Sequence, residues 1–418
     1  MKNKSRIQAI KSLVLPPVEE GTLAGGIPYY FIRSPYPGPC KIELIFQAGR
    51  PQETIRLSAY AANSLLGERT AMLTGPQIAQ RIDYYGASLQ PSASFDLGSM
   101  QLLCSERHLA RLIPLLMQVT REVFYREEDL RLFVESHVQD LQVDLEQTDA
   151  VSYRLLTAMI FGEDHPYGYN STAELYRHLT TSILHQFHRN HYLERAPQIL
   201  IMGHQRQKIL RLLERASTDW IFRPWSAHLP DSPAPRKAEA SASLPGKNQV
   251  SLKTGRIWPG QDHPDYAGLL LLNTLVGGYF GSRLVQQVRE KKGYTYNIYS
   301  SYESYRHGSF FFIGCETSQR KASNARQLIR QELDLLQQKP VPEAELQMVK
   351  NYLAGQLSSQ LDNALIVSDW LKQSLSEGSD WRNTSQLLEQ LLSTSGENIR
   401  DLAQVYLDAD TLTSVMVG

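Results

Sequence analysis

One order of elements occurs twice along this 418-residue chain, and that repetition constrains the fold more than any single motif does. Residues 27–33 are aromatic and branched, and residues 41–47 alternate polar and apolar with the period of a half-buried strand. Pro35, Pro37, Gly38 and Pro39 mark the turn between them. Helical spacing follows over 57–66 and 76–85, and strand alternation over 92–103. Strong helical patterns then cover 108–124 and 127–145, a helix covers 183–192, and a strand over 198–202 closes the half. The second half repeats the plan. It has a strand from Val250, a helix over 266–275, a glycine break, a helix over 282–291 and strands over 294–302 and 308–315. Long helices over 320–338 and 342–361 and a terminal strand from Thr411 complete it.

A chain of this length exceeds one ordinary core, so two domains are expected. The Pro/Ala/Ser-rich stretch 230–245 has no apolar periodicity and reads as an exposed linker. The expected organisation is an amino-terminal extension (1–21), a first domain (22–218), a linker (219–248) and a second domain (249–418). The fold class is α+β: two homologous α/β sandwiches, helices on a sheet, arising by internal duplication.

Basic and acidic residues balance at 43 each, so no global charge draws the chain to nucleic acid or to an anionic membrane. Cys40, Cys104 and Cys315 are odd in number and far apart, which excludes a disulfide framework and suggests buried, reduced thiols. The apolar stretch near residues 12–15 is too short for a signal-peptide core or a membrane span, so a cytoplasmic protein is expected.

The most specific segment is Leu275-Val-Gly-Gly-Tyr-Phe-Gly-Ser-Arg-Leu-Val-Gln-Gln-Val-Arg-Glu-Lys-Lys-Gly-Tyr-Thr-Tyr296. It resembles the carboxy-terminal half of the insulinase, pitrilysin and mitochondrial-processing-peptidase family of zinc metallopeptidases. Phe46–Arg50, Ile82–Ala87, Phe161–Gly168 and Phe187–Tyr192 resemble signposts of that family's amino-terminal half. The resemblance implies that Arg289 and Tyr296 donate hydrogen bonds to substrate backbone carbonyls near the scissile bond. The plainer alternatives are a helix-surface arginine in an ion pair and a packed strand tyrosine. Gly277, Gly278 and Gly281 allow positive φ and close backbone approach, either in a loop that meets a peptide or in a tight turn between helices. Arg283 fits a structural clamp.

A catalytic member of that family carries His-x-x-Glu-His, two zinc ligands one turn apart with a general base between them. Here Tyr60, Asn63 and Ser64 stand at those positions, and no histidine precedes residue 107. Tyrosine and serine are poor zinc ligands at neutral pH, and asparagine cannot take a proton. Glu135 or Asp140 lies where a third ligand would be, but a lone carboxylate holds no zinc. His185, His188 and His191 diverge around a helix and fit structural roles better than a metal site. The resemblance therefore implies a non-catalytic, substrate-binding subunit of a heterodimeric zinc endopeptidase. It implies no cofactor in this chain, zinc in a homologous partner subunit, and a peptide as substrate, with a homodimer left open. The alternative is an inert peptide-binding or structural scaffold of the same fold.

Overall fold

The computed structural model describes residues 10–224 and 237–418. The first half runs β1 (Val18–Leu23), β2 (Ile27–Arg33), β3 (Pro39–Phe46), α1 (Ser58–Ser64), α2 (Gly75–Tyr84), β4 (Ser88–Ala93) and β5 (Gly98–Ser105). It continues with α3 (Leu109–Arg121), α4 (Glu127–Leu145), α5 (Thr148–Phe161), α6 (Ala173–Arg177), α7 (Thr181–His188), β6 (Gln198–Gly203) and α8 (Arg206–Ala216). The second half runs β7 (Ala238–Ala242), β8 (Gln249–Trp258), α9 (Tyr266–Asn273), β9 (Thr295–Tyr305), β10 (Gly308–Ser318) and α10 (Ala322–Gln338). It ends with α11 (Glu343–Ser359), α12 (Ala364–Glu377), α13 (Thr384–Ser393), α14 (Gly396–Tyr406) and β11 (Thr413–Val417).

The strands form two sheets, ordered β1-β2-β6-β3-β5-β4 and β7-β11-β8-β10-β9. Apart from β1, which has no counterpart, their connectivity matches strand for strand. The β2–β6 and β7–β11 pairs are parallel, and β6–β3–β5–β4 and β11–β8–β10–β9 are antiparallel. By order, α3 corresponds to α10, α4 to α11 and α5 to α12. The chain is thus α+β with two sheets of one plan, as the repeated order predicts.

Three expectations need correction. The segment 1–21 is not wholly an extension, because β1 begins at Val18 and pairs with β2, and Leu15 packs with the apolar cluster under α12. The stretch 230–245 is not wholly a linker: residues 238–242 add β7 to the second sheet, while 225–236 lie outside the described residues. The single strand expected over 92–103 is two, β4 and β5, joined through Ser94, whose hydroxyl accepts from Leu97 N at 3.1 Å.

A fourth difference explains the architecture. Alternation in β3 predicts one wet face, yet Lys41 and Glu43 are 1 % and 0 % exposed. Helix α12, from the second half, lies over that face. It buries Val367 and Leu371 against Ile32, Ile45, Leu200 and Met202. Lys41 Nζ reaches Asp369 at 2.6 Å and Glu43 at 3.2 Å, and Lys372 reaches Glu43 at 2.5 Å. Burial alone would raise the Glu43 carboxyl; Lys372 and Lys41 overcome this and hold it below its ordinary range.

The second sheet repeats the device in reverse. Helix α5, from the first half, covers β8 and β11, packing Leu156, Ile160 and Phe161 against Phe310, Phe312, Val415 and Val417. Buried Lys253 on β8 reaches Asp149 at the start of α5 at 2.6 Å, and Ser152 and Ser251 bond at 2.8 Å beside it. Each half lends a helix to the other's sheet, and a buried lysine meets an aspartate on the lent helix.

Removing one partner of such a pair costs more than replacing it, because the orphaned ion stays desolvated. Asp149→Ala is expected to destabilise the fold by about 1–3 kcal/mol in urea unfolding, and by more than the apolar isostere Lys253→Met does. An Asp149→Ala variant of parental stability would show that the pair does not hold α5.

Candidate functional site

Helix α1 carries Tyr60, Asn63 and Ser64, the positions that the resemblance assigns to the zinc motif. It begins after Leu57, whose φ of 69° is the only positive value outside glycine among the described residues. A leucine pays strain there. The carboxylate of Glu53 anchors this turn, accepting from Ala59 N at 2.9 Å and from the Tyr169 hydroxyl at 2.7 Å. Burial pushes the Glu53 carboxyl up to about 7, although Tyr169, Ala59 and Arg50 pull the other way.

Asn63 is turned into the core. Its amide nitrogen donates to Ala48 O at 2.8 Å, and its side-chain oxygen accepts from the buried Tyr192 hydroxyl. Ser64 lies beside the Tyr60 phenol, which burial raises above its ordinary range. The phenol also meets His137 Nε2, on α4, at 3.0 Å. His137 Nδ1 lies 2.8 Å from Phe133 O, an acceptor only, so Nδ1 carries the hydrogen and Nε2 accepts from Tyr60. A phenol and an imidazole, hydrogen-bonded to each other, therefore occupy this face. His137 escapes the sequence argument because it is one histidine in a charged helix, between the two acids weighed as a third ligand. Of those acids, Asp140 faces Tyr60, whereas Glu135 pairs with Arg131 at 2.8 Å.

Tyr60 also lines a cavity of about 570 Å³ between the halves. Arg50, Phe95 and Asp96 share its near side, and Tyr305, Asp369 and Lys372 its far side. The Arg50 guanidinium lies between the rings of Phe95 and Tyr169, 4.3 and 4.5 Å from their centroids. Asp96 accepts from the Tyr167 hydroxyl and from Arg306 N, tying the two halves at the cavity edge.

The second set of expected residues lies elsewhere, around the segment 274–296. Gly277 packs so closely on β9 that a Cβ would come 2.3 Å from Ser300 N, and a Cβ on Gly281 would strike the Tyr279 ring at 2.6 Å. Gly278 has more room, 3.3 Å to Asn273. None of the three has positive φ, contrary to expectation, so close approach alone calls for glycine here. Positive φ falls instead on Gly293, at 59°, in the turn between Arg289 and Tyr296. Arg289 meets Glu290 at 3.3 Å and lies 5.6 Å from the exposed Phe280 ring. Tyr296 is 93 % exposed, which rules out the packed-tyrosine alternative. Arg283 forms a two-pronged pair with Glu345 at 2.8 and 2.9 Å. Neither Arg289 nor Tyr296 lines the cavity that Tyr60 lines.

The three clustered histidines do not converge. His188 is buried against Thr120 O at 2.8 Å, His191 lies on Phe187 at 4.5 Å, and His185 packs edge-on to Tyr125. Among the described residues no three His, Cys, Asp or Glu side chains stand together as a metal site requires, and no helix is long and apolar enough to cross a membrane.

Two sheets of one plan, a helix α1 without histidine and an exposed arginine–tyrosine segment define a peptidase-like body. Comparison with known proteins agrees. A family model described as Peptidase M16 inactive domain matches residues 178–353, from the end of the first half through most of α11. An uncharacterized zinc protease of Mycobacterium leprae is 23% identical over 362 residues, covering 85% of this chain and 81% of its own. One from Bacillus subtilis is 21% identical, covering 70% and 72%. The crystal structure of a peptidase M16 inactive domain from Pseudomonas fluorescens superposes with a TM-score of 0.87 at 23% identity, over 96% of this chain and 98% of that one. A protease from Helicobacter pylori gives 0.86 at 17%, over 97% and 100%. The chain is thus similar to M16 peptidases in fold, and in sequence over residues 178–353, while Tyr60, Asn63 and Ser64 offer no His-x-x-Glu-His on α1.

Two outcomes follow. Tyr60→His with Ser64→His sets imidazoles at i and i+4 on the face opposite His137 and Asp140. The double variant should take up about one zinc per chain by metal analysis, yet remain inert because Asn63 supplies no base. No zinc in the double variant would mean that this is not the lost ligand face. Glu53 has a folded pKa above its unfolded value, so the fold favours its protonated form. Its contribution is fully present below about pH 4 and is lost as pH rises through about 7. Glu53→Gln should remove up to about 3 kcal/mol of that decline in unfolding measured at pH 5 and pH 8.

Proposed function

We propose that this chain is the non-catalytic, substrate-binding subunit of a two-chain zinc endopeptidase. A homologous partner with an intact His-x-x-Glu-His would supply the metal and the attacking water. The observation that carries this reading is the exposure of Tyr296, a phenol with no bonding partner among the described residues, in the same segment as Arg289. Both are donors, and a peptide carbonyl that gains charge during attack needs donors. Their separation from the cavity at Tyr60 fits action at another chain's zinc. The three buried, unpaired thiols fit a reducing, cytoplasmic setting.

A second reading, an inert peptide-binding scaffold, is favoured by the cavity between the halves, which offers Tyr60, Phe95 and the carboxylates of Asp96 and Asp369 to a peptide.

The deciding experiment mixes this chain with a His-x-x-Glu-His homologue from the same source and follows fluorogenic peptides. Activity is expected only in the mixture. Arg289→Ala and Tyr296→Phe should each lower its kcat/KM about ten- to a hundredfold, with the pair still assembled. Unchanged activity in both variants would move the assignment to the scaffold.

A further inference from the structure

Besides the extra strand β1, the two halves differ on the helix side of their sheets. In the first half, α8 packs on α3 and is tied to β1 and β2. Ile209 and Leu213 are both fully buried there, and Leu109, Leu112 and Leu116 of α3 are sealed at 0 % exposure. Arg206 pins the helix to Glu19 at 2.7 Å and to the Tyr29 hydroxyl at 2.8 Å. In the second half the corresponding space, between α10 and β7, is filled by no element of the described residues. It is a recess of about 280 Å³. Leu252, Ile329, Leu333 and Leu412 line it, each with 5–7 % exposure, whereas Leu109, Leu112 and Leu116 on α3, the helix that matches α10, keep none. On its floor the hydroxyls of Thr254 and Ser414 bond to each other at 3.0 Å, so they ask nothing of an apolar guest.

The rim is charged. Lys237, Arg326 and Arg330 face Glu239 and Asp334. Arg326 is held by Glu239 at 2.5 Å and Lys237 by Asp410 at 3.4 Å. Arg330 has no hydrogen-bond or ion-pair partner among the described residues.

We infer that this recess binds an anionic amphiphile, an acyl carboxylate whose tail occupies the apolar floor and whose head meets Arg330. The tail would be about six to ten carbons, the bulk that Ile209 and Leu213 supply in the first half and a fit to a pocket at the small end of ligand sites. A guanidinium at the mouth pairs a carboxylate with two parallel hydrogen bonds. The site is independent of the role proposed for Arg289 and Tyr296.

The test is isothermal titration of the full chain with decanoate, decanol and decyltrimethylammonium, each below its micelle concentration. Decanoate should bind one to one and tightest. Arg330→Glu should weaken decanoate about tenfold or more and leave decanol unchanged. Two filling variants, Leu333→Trp and Ser241→Trp, should abolish binding of all three while far-UV circular dichroism stays parental; Ser241 lies on an exposed edge strand, where bulk does not threaten the fold. Equal affinity for the three amphiphiles, or no effect of Arg330→Glu, overturns the inference. So does decanoate binding that survives both filling variants. Binding of a labelled peptide of residues 204–218 without binding of decanoate also overturns it, and gives the recess to a partner's helix.

Discussion

Two lysines, Lys41 and Lys253, sit at the centres of two sheets with almost no surface, and the rest of the molecule is arranged so that they can. A buried ammonium is tolerated only beside a carboxylate. In each sheet that carboxylate arrives on a helix from the opposite half, Asp369 on α12 and Asp149 on α5. The apolar contacts of these helices supply the bulk of the attraction, and the ion pairs select the seating that leaves no charge alone. The cavity between the halves follows from this exchange, since α12 carries Asp369 and Lys372 to its far side.

The residues at the positions that the resemblance assigns to a zinc motif are all engaged in the protein itself. Tyr60 and His137 satisfy each other in a hydrogen bond, with Ser64 and Asp140 beside the phenol. Asn63 is fixed by Ala48 and Tyr192, which makes it part of the packing of α1 against the core. The segment from Gly277 to Tyr296 differs: its glycines keep the backbone close to β9, and its arginine and tyrosine stay at the surface.

Much of this was legible in the sequence where local pattern decides. The doubled order of elements and most helices follow from periodicity alone, while the zinc-motif positions on α1 come from the family resemblance. What escaped depends on contacts distant in sequence. Alternation in residues 41–47 correctly implied a strand with a polar face, but nothing local shows that a helix more than 300 residues later covers it. The short strand at Ala238–Ala242 looks like linker because alanine and serine carry little strand signal, and only its place beside β11 makes it one. His137 was passed over because a lone histidine has no signature until its neighbours are known. The recess beside α10 is invisible in sequence, being an absence that only the comparison with α8 reveals.

The exchanged helices also bear on how the chain is made. Synthesis delivers the first sheet complete by Gly203, but the helix that covers its charged face ends only at Glu377. Until then Lys41 and Glu43, with Ile32, Ile45, Leu200 and Met202 around them, face water on the growing chain. The second sheet has the opposite history, for α5 exists before any strand it will cover. The first half therefore emerges both unfinished and carrying a piece of its successor, and the two lobes reach their final form together, late in translation.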